Sequence, residues 1–346
     1  MIGLLILVLL CSNIVNLSSG MATPKCTKPS LRREWRTLGY DGQKAFIDAI
    51  KCLSHLPHES LIPTGATPGL PPILTNSSLY DDVVYVHMDA TNSAHSTGLF
   101  LPWHRLYLHT MEGLLKKKCG YKGYMTYWDW TIDSHNIEHA PLFNADPVIG
   151  FGTFPDASTN FSLSNGAFHD IIRAYPLAHH IQRNYTLKSW QTPLFSWPFP
   201  LPQKEANSTQ TPAEYVKITT SFIGNFTAFQ YYMDGYGLQG MHGATHTSLG
   251  GNIKDLSHSP NDPIFFLHHG QLDRVWAAWQ AHHPRNHNTI AGFVVQDLDD
   301  FDAHPLGTGM PVTDDTAIYM AGIGPDAKIH DVLSTTGGYL CYQYAT

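Results

Sequence analysis

The segment Ser259-Pro260-Asn261-Asp262-Pro263-Ile264-Phe265-Phe266-Leu267-His268-His269-Gly270-Gln271-Leu272-Asp273-Arg274-Val275-Trp276 decides how the chain reads. Asp262 suits a helix N-cap and Pro263 the first turn, so a strong helix is predicted over 262–282. It opens with two adjacent histidines. Neighbouring helical side chains point about 100° apart, so only one of His268 and His269 is expected to bind a given ion. Upstream, His242 and His246 stand four apart and share a helix face. Gly250-Gly251 lets the chain turn closely between the two segments.

A second cluster lies in YVHMDATNSAHSTGLFLPWHRLYLH, residues 85–109. His87 falls late in a helix predicted over 79–89. His104 falls early in one predicted over 103–118, with His95 in the loop between. Two antiparallel helices and a loop can aim three imidazoles at one point. His109, five residues beyond His104, lies about 140° round the helix and does not share that ion. The chain has 21 histidines, as many as all Lys and Arg together. Neither cluster has a carboxylate or thiol at ligand spacing. Imidazole alone suits copper, zinc, iron or nickel. A di-iron carboxylate bundle or a zinc hydrolase would want Glu among the ligands. Two three-histidine sets favour two metals.

Further helices are predicted over 32–54 and 213–230, with loops and short helices over 133–213. Short β-like runs follow residue 293. The class is mainly α, with minor strands near the ends. Met1–Cys11 is apolar for roughly half a membrane span and is followed by small and polar residues, so residues 1–20 read as a secretory signal peptide. Residues 21–346 read as one catalytic domain. A formal charge of −7 argues against nucleic acid or an acidic membrane as partner. Cys26, Cys52, Cys119 and Cys341 remain after the signal and are expected to form two disulfides, with three possible pairings. Sequons at Asn76, Asn160, Asn184, Asn207 and Asn225 fit an extracellular glycoprotein.

The motifs LPWHRLYLHTME, YWDW, SPNDPIFFLHHGQLDRVWAAWQ and GGYLCYQY, with CTKPSLRREWRTL near the start, resemble the tyrosinase and polyphenol oxidase family of type-3 copper proteins. The likeness runs over nearly all of residues 21–346 and is closest to short secreted fungal catechol oxidases. It implies a central antiparallel four-helix bundle holding a copper pair that activates O2. It implies His87, His95 and His104 on one copper, and His242, His246 and His269 on the other. It sets Phe265 and Leu256 over the entrance, and Asp262, Asp273 and Arg274 in supporting positions. Asp262 also reads as a helix cap, and Trp103, Trp128 and Trp130 as core.

Three departures stand out. Ser93 stands where many fungal relatives carry a cysteine bonded to the second ligand. The chain stops soon after Tyr344, where longer relatives continue into a plug domain. Gly243 stands where some monophenol-hydroxylating relatives have Asn. The expected activity is therefore oxidation of small phenolic substrates, catechols to ortho-quinones. Tyrosinase activity, or ortho-methoxyphenol or ortho-aminophenol oxidation, is the alternative within enzymes. A haemocyanin-like oxygen carrier and a copper-free glycoprotein are the alternatives outside them. The sequence leaves the oligomeric state open.

Overall fold

The computed structural model describes residues 25–186, 188–189, 205–206, 213–234, 240–297 and 307–345. The signal-like segment and Asn207 lie outside them. Nine helices occur among the described residues: α1 (Gly39–His55), α2 (Leu79–Ala94), α3 (Phe100–Cys119), α4 (Ala213–Thr220), α5 (Phe226–Asp234), α6 (Gly240–Leu249), α7 (Gly251–Lys254), α8 (Ile264–His282) and α9 (Ile329–Leu333).

The centre is built from α2, α3, α6 and α8, with α1 packed outside α2 and α3. This is the predicted mainly helical bundle. Helices α2 and α3 are buried around nearly their whole girth, as expected of helices apolar on every side. Ser78 and Asp81 start α2 with a reciprocal capping box. Pro102 is tolerated because it falls in the first turn of α3, where backbone N–H groups have no intrahelical acceptor. Gly120, at φ +67°, ends α3 in the left-handed region, its N–H bonded to Leu115 O. Helix α8 presses against the Met125–Trp130 segment. A Cβ at Gly270 would lie 2.7 Å from Thr126 O, and Trp128 N–H donates to Leu267 O at 3.0 Å. No described helix is long and apolar enough to cross a membrane.

Helix α2 runs on to Ala94 and α3 starts at Phe100, beyond their predicted bounds, and two other predicted helices differ more deeply. Residues 32–38 are not α-helical. Ser30–Arg32 forms a strand parallel to Tyr342–Tyr344, and Trp35–Leu38 is a 3₁₀ turn. The reason is Arg32, which is fully buried and bonded to Glu112 and Asp273; extended backbone carries it there. The 213–230 helix is really two. Gly224 adopts φ +64°, its N–H donates to Asn286 Oδ1 at 2.6 Å, and Asn225 Oδ1 accepts from Ala228 N–H at 3.0 Å to start α5. The other strands are short two-stranded pairs, such as Phe293–Val295 with Thr308–Pro311.

The disulfides are Cys26–Cys341 and Cys52–Cys119. The first ties the two ends of the described chain together, and the second ties α1 to the end of α3. Asn76, Asn160, Asn184 and Asn225 are exposed.

Candidate metal centre

His87, His95 and His104 converge, all buried, with ring nitrogens within 4.8 Å of one another. Each is held through Nδ1. His87 Nδ1 donates to Ser257 O at 2.7 Å, His95 Nδ1 to Thr91 O at 3.0 Å and His104 Nδ1 to Phe100 O at 2.8 Å. The last two acceptors are one helical turn back, so α2 and α3 set these rings themselves. His109 points elsewhere, against Tyr339.

The second group contains His242, His246, His268 and His269, also buried and within 4.8 Å. His242 Nδ1 donates to Asp234 Oδ1 at 2.7 Å, and His246 Nδ1 donates to Ile253 O. That Ile253 carbonyl is placed by the double-glycine turn. Gly250 and Gly251 both have positive φ, and a Cβ on Gly251 would lie 2.1 Å from Gln182 O. Gly251→Ala is therefore expected to meet backbone strain of about 1–2 kcal/mol plus a clash. It should lower the melting temperature and weaken metal binding through His246. Unchanged values for both would refute this role of the turn.

The hydrogen bonds also fix which nitrogen is free. A carbonyl oxygen only accepts, so a neutral imidazole bonded to one through Nδ1 carries its proton there and leaves a lone pair on Nε2. This holds for His87, His95, His104 and His246. Asp234 does the same for His242 as a carboxylate. Burial pushes that carboxyl up to about 7, and a cation on the far side of the His242 ring favours its ionised form. His268 has the opposite arrangement. The indole N–H of Trp130 can only donate, and it reaches His268 Nδ1 at 3.1 Å, so the His268 proton sits on Nε2. His268 joins the cluster in space and is excluded from ligation at Nε2 by its tautomer.

The two trios face each other. His104 and His269 stack at 4.3 Å between centroids, and His95 and His242 lie parallel at 6.5 Å. The buried Nε2 atoms of His87, His104 and His242 hydrogen-bond nothing in the protein. Those of His246 and His269 stand 3.3 Å apart. Two lone pairs so close repel unless a proton or cation lies between them. That separation is also what two nitrogens about 2.0–2.1 Å from one tetrahedral ion would have. Orphaned nitrogens of this kind fit a metal pair.

Burial keeps the rings neutral. It holds His95, His242 and His246 down to about 3 and pushes His87, His104 and His269 well below the ordinary imidazole value. The repulsion of neighbouring rings adds to the effect. Neutral imidazole is the ligating form, so at neutral pH no proton need leave before a metal binds.

Among the positions suggested by resemblance, Phe265 is fully buried, stacks on His269 at 4.0 Å and edges His87 at 5.1 Å. Leu256 is exposed, on the turn that supplies Ser257 O to His87. Gly243 is half-buried on α6. Asp262, Asp273 and Arg274 bond to groups other than the site histidines. Asp262 pairs with Arg183 through both oxygens, at 2.6 and 2.9 Å, and accepts from Ile264 N–H at 3.2 Å, so it also caps α8. Asp273 binds Arg105, Arg32, Tyr342 and Tyr344. Arg274 binds Asp129. Trp103, Trp128 and Trp130 are buried core, with Trp130 also setting His268. The carboxylate that does touch a ligand is Asp234, eight residues before His242. A spacing of eight gives no signal in sequence.

Residues 77–282 match the common central domain of tyrosinase. The chain is 30% identical to the tyrosinase-like protein phomQ1 of Diaporthe leptostromiformis, over 95% of this chain and 82% of that protein. It is 27% identical to tyrosinase ustQ of Aspergillus flavus, over 96% and 85%. The structure resembles that of a polyphenol oxidase (mutant G292N) from Thermothelomyces thermophila, with TM-score 0.66 and 26% identity over 93% of this chain and 91% of that one. With a domain match spanning more than half its length and two facing histidine trios at its centre, the chain belongs to the tyrosinase family of copper oxidases.

Proposed function

We propose that the chain is an exported oxidase that converts ortho-diphenols to ortho-quinones with dioxygen, using two copper ions. The observation that carries this reading is the pair of facing imidazole trios, free of carboxylate and thiol donors. His87, His95 and His104 would hold one ion, and His242, His246 and His269 the other. Bound there, a copper pair would supply two adjacent one-electron centres able to take electrons from a diphenol and deliver them to dioxygen. Over a full cycle two diphenols lose four electrons and four protons, and one dioxygen takes up all of them and leaves as two waters.

The protein holds five of the six rings, those of His87, His95, His104, His242 and His246, by Nδ1 so that they cannot rotate away, and keeps all six uncharged by burial. Phe265 and Phe100 pack against ring faces and edges and exclude water from that side of the site. Two disulfides and four exposed sequons support export. The acidic balance supports small phenols rather than nucleic acid as partners.

A preference for diphenols follows from Gly243, which offers no side chain beside His242 to orient a water that would deprotonate a monophenol. Copper quantification with paired oxygen-uptake assays tests this. Two copper ions per chain and prompt oxygen uptake with a catechol are expected, with little uptake from a monophenol alone. Rapid, lag-free turnover of the monophenol would defeat the preference. Reversible oxygen binding without diphenol oxidation would defeat the enzyme reading altogether.

A further inference from the structure

Two rings of the first trio are held by carbonyls four residues back in the chain, His95 by Thr91 O and His104 by Phe100 O. His87 is held from elsewhere. Its Nδ1 donates to Ser257 O, which lies 170 residues further along. Ser257 belongs to the turn between α7 and the short 3₁₀ helix Ser259–Asn261. That turn lies at the surface, with Leu256 exposed and Asp255, Ser257 and His258 half-buried. A surface turn lacks the backbone ladder that would fix a carbonyl in a helix or sheet, so a local side chain must do so.

Asp255 supplies that hold. Its Oδ1 accepts from Ser257 N–H at 2.8 Å and from His258 N–H at 3.1 Å, and His258 Nδ1 lies 2.8 Å from the same oxygen. The second of these bonds bears directly on the ligand. Ser257 O and His258 N–H belong to one planar trans peptide group and point in opposite directions. Gripping the N–H therefore aims the oxygen at His87. The Ser257 side chain adds only a long contact, 3.4 Å from Thr91 Oγ1. The carbonyl that serves the second trio, Ile253 O, is anchored separately. Asn252 N–H donates to Gln182 O at 2.9 Å, and Asn252 Oδ1 accepts from Gln182 N–H at 2.7 Å.

We propose that Asp255 is a positioning residue for the first metal site, holding the N–H side of the Ser257–His258 peptide so that its carbonyl fixes the His87 ring. The proposal rests on the six histidines being copper ligands. Loss of a group bonded directly to a ligating histidine typically costs roughly 10–100-fold in metal affinity, and Asp255 acts one bond further out, so about 10-fold is expected.

The test is Asp255→Ala and Asp255→Asn, with copper affinity measured by chelator competition. In a His269→Ala background only the first trio remains whole, and in a His104→Ala background only the second, so each site is read alone. Asp255→Ala should weaken the first site by about 10-fold and leave the second unchanged. Asp255→Asn keeps an acceptor oxygen for both backbone N–H groups, guards against loss of the fold, and should retain most of the first-site affinity. Unchanged first-site affinity in Asp255→Ala would overturn the proposal. So would equal weakening of both sites, which would mark Asp255 as merely structural, and so would a loss in Asp255→Asn as large as in Asp255→Ala. Failure of the unsubstituted chain to take up two copper ions would instead overturn the copper reading, and this proposal with it.

Discussion

His269→Ala is expected to abolish diphenol oxidation and to lower bound copper from two ions per chain to one, while His268→Asn keeps both ions. The two residues are adjacent and equally buried, and both have ring nitrogens in the second cluster. What separates them is protonation. His269 Nε2 faces His246 Nε2 at 3.3 Å, an approach that needs a proton or a cation between them. The Trp130 indole claims the lone pair of His268 at Nδ1, leaving its Nε2 protonated and unable to ligate. Loss of a direct ligand should exceed the roughly 100-fold that removal of an outer partner causes, so activity should fall to background, as it should for His104→Ala. Asn at position 268 still offers an acceptor to the indole. His268→Ala offers none and should cost about 1–3 kcal/mol in stability through the unsatisfied buried N–H, again with both ions retained. Copper analysis of the purified variants decides the matter. Full turnover in His269→Ala, or loss of copper from His268→Asn with retention in His269→Ala, would falsify the assignment.

The contrast between these neighbours marks the limit of what spacing can convey. The four-residue interval of His242 and His246, and the helix–loop–helix placement of His87, His95 and His104, were legible because helical periodicity alone converts them into shared faces. The 100° rule expects His268 and His269 to point apart. It did not anticipate that both rings would lie in one cluster, because each imidazole swings on two side-chain torsions. The deciding indole comes from Trp130, far away in the chain. Asp234 was invisible for a related reason. Periodicity merged α4 and α5 into one helix ending at 230, although Gly224-Asn225 held the break, a left-handed glycine followed by a capping residue. The disulfide pairing was open as well, since four cysteines without close spacing say nothing about which ends meet. The ends meet because of buried charge. Arg32, read as the start of a helix, instead lies fully buried between Glu112 and Asp273.

That buried charge gives the largest expected effect on stability. Asp273→Asn should destabilise the protein by about 3–5 kcal/mol, the usual cost of leaving a buried partner charge uncompensated. Typical folding stabilities total about 5–15 kcal/mol, so a fall of roughly 10 °C in Tm is expected at neutral pH. The Asp273 carboxylate accepts from Arg105 Nε at 2.5 Å, from the hydroxyls of Tyr342 and Tyr344 at 2.5 Å, and more distantly from Arg32 at 3.4 Å. It thereby joins α3, α8, the first strand and the last. An amide in its place would leave Glu112 as the one carboxylate on Arg32, beside the Tyr344 hydroxyl, and would leave Arg105 with carbonyls and Gln280 but no carboxylate.

The pH dependence carries a definite sign. Burial alone would push the Asp273 carboxyl up, but Arg105 and Arg32, helped by the two tyrosine hydroxyls, hold it below the usual aspartate value. A carboxyl lowered in the folded state stabilises fully above its unfolded pKa, near 4, and loses that contribution as pH falls toward the folded value. The gap in stability between the parent and Asp273→Asn should therefore be constant from neutral pH down to about 5 and then narrow on further acidification. Denaturant titrations across that range would measure it. A gap that widened in acid, or a variant as stable as the parent at pH 7, would show that the ends of the chain are held by something other than this carboxylate. Because its bonds go to the framework and not to the histidine rings, Asp273→Asn protein kept well below its melting temperature should still bind two copper ions. Stability and metal occupancy thus separate at this residue.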